Sequence, residues 1–282
     1  ANASIELQGG LTPQNIWQGQ LVNSQLGAFK KNKGIQFTQQ QNAKINLDLN
    51  KKTFWMDGHC WGNSARAQQD QLCFSQPIEL SATKQKLHMN LNDVQLANLQ
   101  FVLPQGVSIQ GQVNGHVYLT RENNRLDLDA NLASHKGQLV LSGHGTSRNI
   151  FNYKLVGVTA KKINATDYQI QANVEKSDTE RDFAKFNMVF ADSGVIKTSH
   201  IAVNKVNLGI LKPFIADVRA LDGYLSMQAN IAGSLKEPKL TQGKIAVEKG
   251  RFALYSMPLD LQAIESTITV NNNAADIKGK FN

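Results

Sequence analysis

Charge is scarce in this sequence. Asp, Glu, Lys and Arg make up 18% of the 282 residues, although the balance is basic at +8. The basic residues that produce it, among them Lys30, Lys31, Lys33, Lys51, Lys52, Lys161 and Lys162, are scattered, and no aromatic side chains are interleaved with them as stacking platforms. A nucleic-acid footprint needs both clustering and platforms, so no nucleic-acid partner is expected. Aromatic residues are only 7%. No apolar run approaches the roughly 18 residues of a membrane-spanning helix, and no amphipathic targeting segment is present.

Catalytic signatures are missing too. None of the six histidines, His59, His88, His116, His135, His144 and His200, pairs with another at helical ligand spacing, so no metal site is expected. There is no glycine-rich phosphate loop ahead of a helix and no G-x-S-x-G nucleophile elbow. Asp127 and Asp129 share one face of an alternating segment, but two acids on an outward strand face are solvated rather than catalytic. His88 and His116 fall on the polar face of their strands and read as solvated surface. The chain is therefore expected to be neither an enzyme nor a cofactor binder.

Cysteine occurs twice, as Cys60 and Cys73, with a polar, Gln-rich stretch between. A disulfide is the expected pairing, with two buried free thiols as the alternative. On the chain-entropy view a bridge over so short a loop contributes about 3 kcal/mol. It implies an oxidising compartment such as the periplasm.

What the sequence does contain is alternation. Ala43, Ile45, Leu47 and Leu49 alternate with Lys44, Asn46, Asp48 and Asn50, the period-two signature of a half-buried strand. The pattern recurs at Leu126 to Leu132, Leu139 to Gly143, Tyr153 to Gly157, Tyr168 to Val174, Phe186 to Phe190, Gly243 to Val247 and Ile264 to Val270. Abundant Asn and Gln suit an outer face that is polar but mostly uncharged. Asn123-Asn124, Lys136-Gly137 and Ser193-Gly194 read as hairpin turns.

One stretch occurs twice. Leu91 to Leu119 reappears 112 residues further on as Val203 to Ile231, with Asn92, Val94, Leu96, Leu99 and Gly111 recurring as Asn204, Val206, Leu208, Leu211 and Gly223. Each copy, about 80–120 and 195–231 with its leading strand, runs strand, short helix, strand. Leu96, Leu99 and Leu103, matched by Leu208, Leu211 and Ile215, line the helix faces; Pro104 limits the first helix and Pro213 interrupts the second.

Half-apolar strands with only two very short helices must be covered by another sheet or by the same sheet folded over. Two architectures fit: a closed sandwich or barrel, and an elongated sheet curled around an apolar trough. Small inward residues such as Gly111, Gly115, Ala130, Gly143, Gly157, Ala172, Gly223 and Ala229 leave room for a guest; the same glycines equally mark bends or bulges.

Cys60-Trp61 through Leu72-Cys73-Phe74, the Leu96-x-x-Leu99 helix, Leu103-Pro104 and Gly111 resemble the TamB family of the translocation and assembly module. So does the later run Leu208-x-x-Leu211-x-Pro213-Phe214, Leu221-Asp222-Gly223, Gly233-x-Leu235-x-x-Pro238-x-Leu240-x-x-Gly243 and Gly250-Arg251-Phe252. This pattern is also close to the wider AsmA-like group of bridge-like lipid transfer proteins. The resemblance implies an all-β, elongated curled sheet, the β-taco, with an apolar groove. It further implies a periplasmic segment, residues 1–282, of a longer protein anchored to the inner membrane by a part absent here. Its implied work is shielding phospholipid acyl chains between the membranes and supporting outer-membrane protein assembly with a TamA-type barrel partner. On that reading Leu47, Val113, Val117, Leu119, Leu126, Leu128, Ile170, Leu225, Met227 and Ile231 line the groove, because alternation puts them on one face. The alternative is a compact β-sandwich adhesin or interaction module without lipid transport.

Overall fold

The computed structural model describes residues 2–30, 33–63, 70–97, 106–123, 125–142, 148–176, 182–215, 217–272 and 274–282. The fold is all-β as expected: among the described residues nineteen strands belong to one antiparallel sheet, rather than to the two facing sheets of a sandwich. Among the described residues no helix is long and apolar enough to cross a membrane. The chain divides into two compact units. The first comprises Ala1–Leu103, Gln110–Ser134 and Thr159–Lys161; the second comprises Pro104–Ile109, His135–Val158 and Lys162–Asn282.

The first unit begins with β1 (Asn2–Leu11) and β2 (Ile16–Lys30). Six short strands follow: β3 (Lys33–Gln39), β4 (Ala43–Asp48), β5 (Thr53–Met56), β6 (Cys60–Asn63), β7 (Gln71–Phe74) and β8 (Ile78–Leu80). They lead to β9 (Lys84–Gln95) and β10 (Val107–Glu122). The sheet forks after β2. One half of that strand pairs with β4, and the ladder continues through β5 and β8 to β9. The other half pairs with β3, and continues through β6 and β7 to the same β9.

A crease separates the two branches. At the crease Ser24 is fully buried, Asn23 takes a left-handed φ of 44°, and the Gln39 carboxamide donates to the carbonyls of Leu21 and Gln41. A side-chain amide is needed there because the ladder breaks and would leave backbone groups unpaired. Inside the fork Leu21, Ala43, Ile45 and Trp61 form a core, with Trp17, Phe37, Phe54, Met56, Leu72 and Phe74 packed against it. Cys60 and Cys73 are directly opposite each other on β6 and β7 and form the expected disulfide.

The repeat is physical as well as sequential. β9 pairs with β10 much as its counterpart β15 (Ile196–Asn207) pairs with β16 (Val218–Gly233). Asp93 and Lys205 occupy equivalent bulges with φ of 51° and 49°. The Asp93 N–H donates to Asn114 Oδ1 at 2.8 Å, and the Lys205 N–H to Ser226 Oγ at 3.2 Å. In each copy a bulge bends the strand at one point, and a short polar side chain from the neighbouring strand satisfies the freed amide.

The second helix of the repeat is a 3-10 segment, Leu208–Phe214, capped by the Asn207 side chain, which accepts from the Gly209 N–H. Leu211 and Ile215 stay exposed, so the expected apolar face is not buried as a unit. The first helix falls largely outside the described residues, as do its Leu99 and Leu103, and Gly143. Lys136-Gly137 is not a hairpin. It is a bulge with φ of 52° inside β11 (Arg125–Ser142), since one left-handed residue bends a strand without reversing it.

The second unit carries most of β12 (Arg148–Lys162), then β13 (Asp167–Lys176), β14 (Asp182–Ala191), β15, β16, β17 (Pro238–Leu254), β18 (Asp260–Asn271) and β19 (Ala274–Lys280). From β13 to β19 each strand pairs with the next in a simple meander. One face is polar and mostly uncharged. Asn230, Gln242 and Asn271 form one cross-strand row on it, and Gln169 donates to Asn187 at 3.0 Å.

Candidate functional site

Side chains directly opposite each other in antiparallel strands share a face, with Cβ atoms about 4.5–5.5 Å apart. In the second unit this rule aligns Val174, Ala184, Val203, Met227, Ile245, Ile268 and Ile277 in one row across seven strands. Two residues along each strand lies a second row: Ala172, Phe186, Ile201, Ala229, Gly243 and Val270. With strands about 4.8 Å apart, the seven-strand row is roughly 29 Å long. None of its seven side chains is buried, and Ile277 is 68% exposed. Neither row contains an ionisable residue.

The rows end at a line of bulges. Lys205, Gly223, Lys249 and Ala263, on successive strands, all have positive φ. Gly223 is required there, because its φ is 108° and a Cβ would lie 2.7 Å from Gly250 Cα. Register is regained beyond the line, where Leu221, Phe252 and Leu261 continue the same face on a second slope. Aligned bulges re-aim the strands while preserving which side of the sheet is apolar. The result is a ribbon with two apolar slopes that meet at the line of bulges. The opposite face is held by ion pairs. Arg251 donates two hydrogen bonds to Asp260 at 3.0 and 2.8 Å, and this holds the Asp260 carboxyl below its usual range. Lys197 does the same to Asp167 at 2.6 Å.

The ten residues expected to line a groove fall in both units. In the second, Leu225 pairs with Val206 and Val247, while Met227 belongs to the seven-strand row. Ile231 sits opposite Leu240 at the strand end, and Ile170 opposite Met188. In the first, Val113, Val117 and Leu119 face Val94, Met89 and Leu87 of β9, on the side that bears Phe74 and Leu72. Leu47 lies between Trp17 and Phe54, beside the aromatic core. Leu126 and Leu128 are half-buried, alternating with exposed Asp127 and Asp129. Gly115 has a φ of 143° and a Cβ there would lie 1.8 Å from Asn131 O, so this small inward residue marks a close approach rather than reserved space.

Alternation alone left out Val174, Ala184, Val203, Ile245, Ile268 and Ile277. Each stands in a visibly alternating segment, but assembling them into a row needs the strand register. That register depends on bulges at Lys205, Lys249 and Ala263, residue types that carry no bulge signal. His88 and His116 also differ from expectation. They are half-buried and stack on either side of Tyr118, at ring distances of 4.7 and 4.4 Å, because strands with few charges bury part of their polar face too. Burial and the nearby Lys86 charge push the His88 pKa down. No cluster of three or more potential metal ligands occurs among the described residues.

The sequence matches the family described as TamB, N-terminal domain, over residues 1–247. No curated protein and no solved structure matches it.

Proposed function

This chain belongs to the TamB family, and on that premise we propose that its apolar ribbon holds phospholipid acyl chains. In this reading residues 1–282 are one continuous segment of a longer periplasmic protein anchored to the inner membrane. It shields lipid in transit between the membranes and supports outer-membrane protein assembly with a TamA-type partner. The chain acts by binding and carries out no reaction.

One observation carries the reading: a row of aliphatic side chains roughly 29 Å long, crossing seven strands, charge-free and with no member fully buried. A partly water-exposed apolar strip of that kind is costly, and an occupant recovers about 25 cal/mol for each Å² of apolar surface removed from water. The length suits acyl chains. A bilayer core of about 30 Å is two chains thick, so one chain spans roughly half the row.

The test is photo-crosslinking in cells at paired positions on opposite faces of one strand. A crosslinker at Ile245 captures phospholipid and one at Lys244 does not; the pair Val117 and His116 behaves likewise in the first unit. Equal capture at inner and outer positions, or capture at none, removes the reading. Mass spectrometry of lipid co-purified with the chain supplies a second readout.

A further inference from the structure

The outer face of the first unit, opposite its aromatic core, carries a feature that the apolar ribbon does not use. Gln18, Asn46, Trp55 and Glu79 form a cross-strand row over β2, β4, β5 and β8. Gln8, Gln20 and Lys44 form the neighbouring row. Between the rows lies an open depression of about 540 Å³, to which Gln8, Gln18, Gln20, Lys44, Asn46 and Trp55 contribute.

Trp55 is the unusual member. Trp17 and Trp61 pack in the core, and so do Phe54 and Met56, the neighbours of Trp55 on β5. Alternation therefore turns the Trp55 ring outward, where it is only half-buried. An outward tryptophan serving packing alone would lie against apolar cross-strand partners. Its partners are instead Asn46 and Glu79, and the Glu79 carboxylate is occupied by Lys84 at 2.6 Å. Trp55, Gln18 and Asn46 make no side-chain hydrogen bond or ring contact among the described residues. The site thus offers an apolar ring face, an indole N–H donor and carboxamides that each donate and accept.

This donor set selects a ligand class. An anionic ligand or nucleic acid needs several cations, and Lys44 is the sole charged residue of the lining. A lipid chain needs apolar walls, and the lining is mainly amide. A saccharide presents a flat C–H face for the ring, with hydroxyl or acetamido groups around it for the carboxamides. The strands supply one side chain about every 4.8 Å, a step close to one pyranose in an extended chain. We infer that this outer face binds an uncharged saccharide chain, with Trp55 stacking on one sugar and Gln18, Gln20 and Asn46 bonding to its polar groups.

The proposal stands apart from the lipid reading, since it concerns the other side of the sheet. Its test is a titration of the whole isotope-labelled chain with chitohexaose, which carries acetamido groups, and with cellohexaose, which carries only hydroxyls, followed through the indole N–H signals. The Trp55 signal moves with at least one oligosaccharide, and those of Trp17 and Trp61 stay in place. Trp55→Ala weakens binding about tenfold, as loss of an aromatic stacking partner does. Because Trp55→Ala can also disturb β5, the double variant Gln18→Ala, Asn46→Ala, at exposed or half-exposed positions, is measured beside it and weakens binding severalfold. Stronger binding of chitohexaose assigns the carboxamides to acetamido groups, and equal binding assigns them to hydroxyls. A Trp55 signal unmoved by either sugar at millimolar concentration, or affinity unchanged in both variants, overturns the site.

Discussion

Trp17, Phe37, Phe54, Trp61 and Phe74 converge on one interior in the first unit, whereas the matching face of the second presents Val174, Ala184, Val203, Met227, Ile245 and Ile268. Both faces are built from the same period-two alternation. The difference lies in volume and in topology. An aromatic side chain buries 150–250 Å² and reaches far from its strand. In the first unit such rings come from both branches of a forked sheet and pack against one core cluster. In the second, shorter aliphatic side chains stand on a plain meander and the six named here are half-buried. The depth of burial therefore follows side-chain size and where the sheet forks, while alternation is silent on both.

The sharpest way to break this comparison is to remove one inward side chain from each unit. Trp61→Ala empties a closed core and is expected to cost about 3–5 kcal/mol in chemical denaturation. Ile245→Ala, at a half-buried position, is expected to cost about 1–2 kcal/mol, because part of its surface is already in water. Equal losses would mean that the second face is as tightly packed as the first. Removing the covalent tie comes next. The variant Cys60→Ser, Cys73→Ser loses about 3 kcal/mol, all of it in the first unit, as measured by hydrogen exchange at amides of β6 and β7.

A charge placed in the ribbon sharpens the contrast between stability and binding. Ile245→Glu is expected to cost at most about 2 kcal/mol, since the carboxylate remains solvated. It should nevertheless abolish co-purification of lipid, and retained lipid would remove Ile245 from the binding surface.

Acid separates the units as well. His59 is fully buried, and burial lowers its pKa despite a hydrogen bond with the Asp57 carbonyl at 2.9 Å. His88 is lowered in the same direction. The unfolded chain takes up these protons first, so the first unit loses stability as pH falls below about 6.5. In the second unit Asp167 and Asp260 are held low by Lys197 and Arg251. Their contribution persists until pH falls below about 4, where the unfolded carboxylates take up protons. Exchange-detected stability that fell together in both units would contradict these assignments. The smallest expected effect is at the bulges. Lys205→Gly relieves a left-handed non-glycine conformation but adds unfolded-state freedom, leaving a change within about 1 kcal/mol.

Several of these features were legible in the residues. Alternation at Ala43 to Leu49 and at Gly243 to Val247 announced strands, the spacing and context of Cys60 and Cys73 announced their bridge, and the 112-residue repeat announced two equivalent pairs, β9 with β10 and β15 with β16. Met227 and Leu225 stand on the apolar side of β16, opposite Ile245 and Val247. Lys136-Gly137 misled, because a left-handed residue serves a hairpin and a bulge alike, and only the pairing of the flanking residues distinguishes them. His88 and His116 misled because a polar strand face can be half-buried when its neighbours are amides and rings rather than charges.

The sequence by itself determined that the described chain is mostly strand, which residues of each regular stretch share a side, and which family it belongs to. These are consequences of local periodicity and residue type. Tertiary structure alone decided that the sheet forks after β2, that bulges at Lys205, Lys249 and Ala263 align into a bend, and that seven strands bring Val174 to Ile277 into one row. Each of these depends on cross-strand register, and a one-residue change in register reassigns every side chain beyond it to the opposite face.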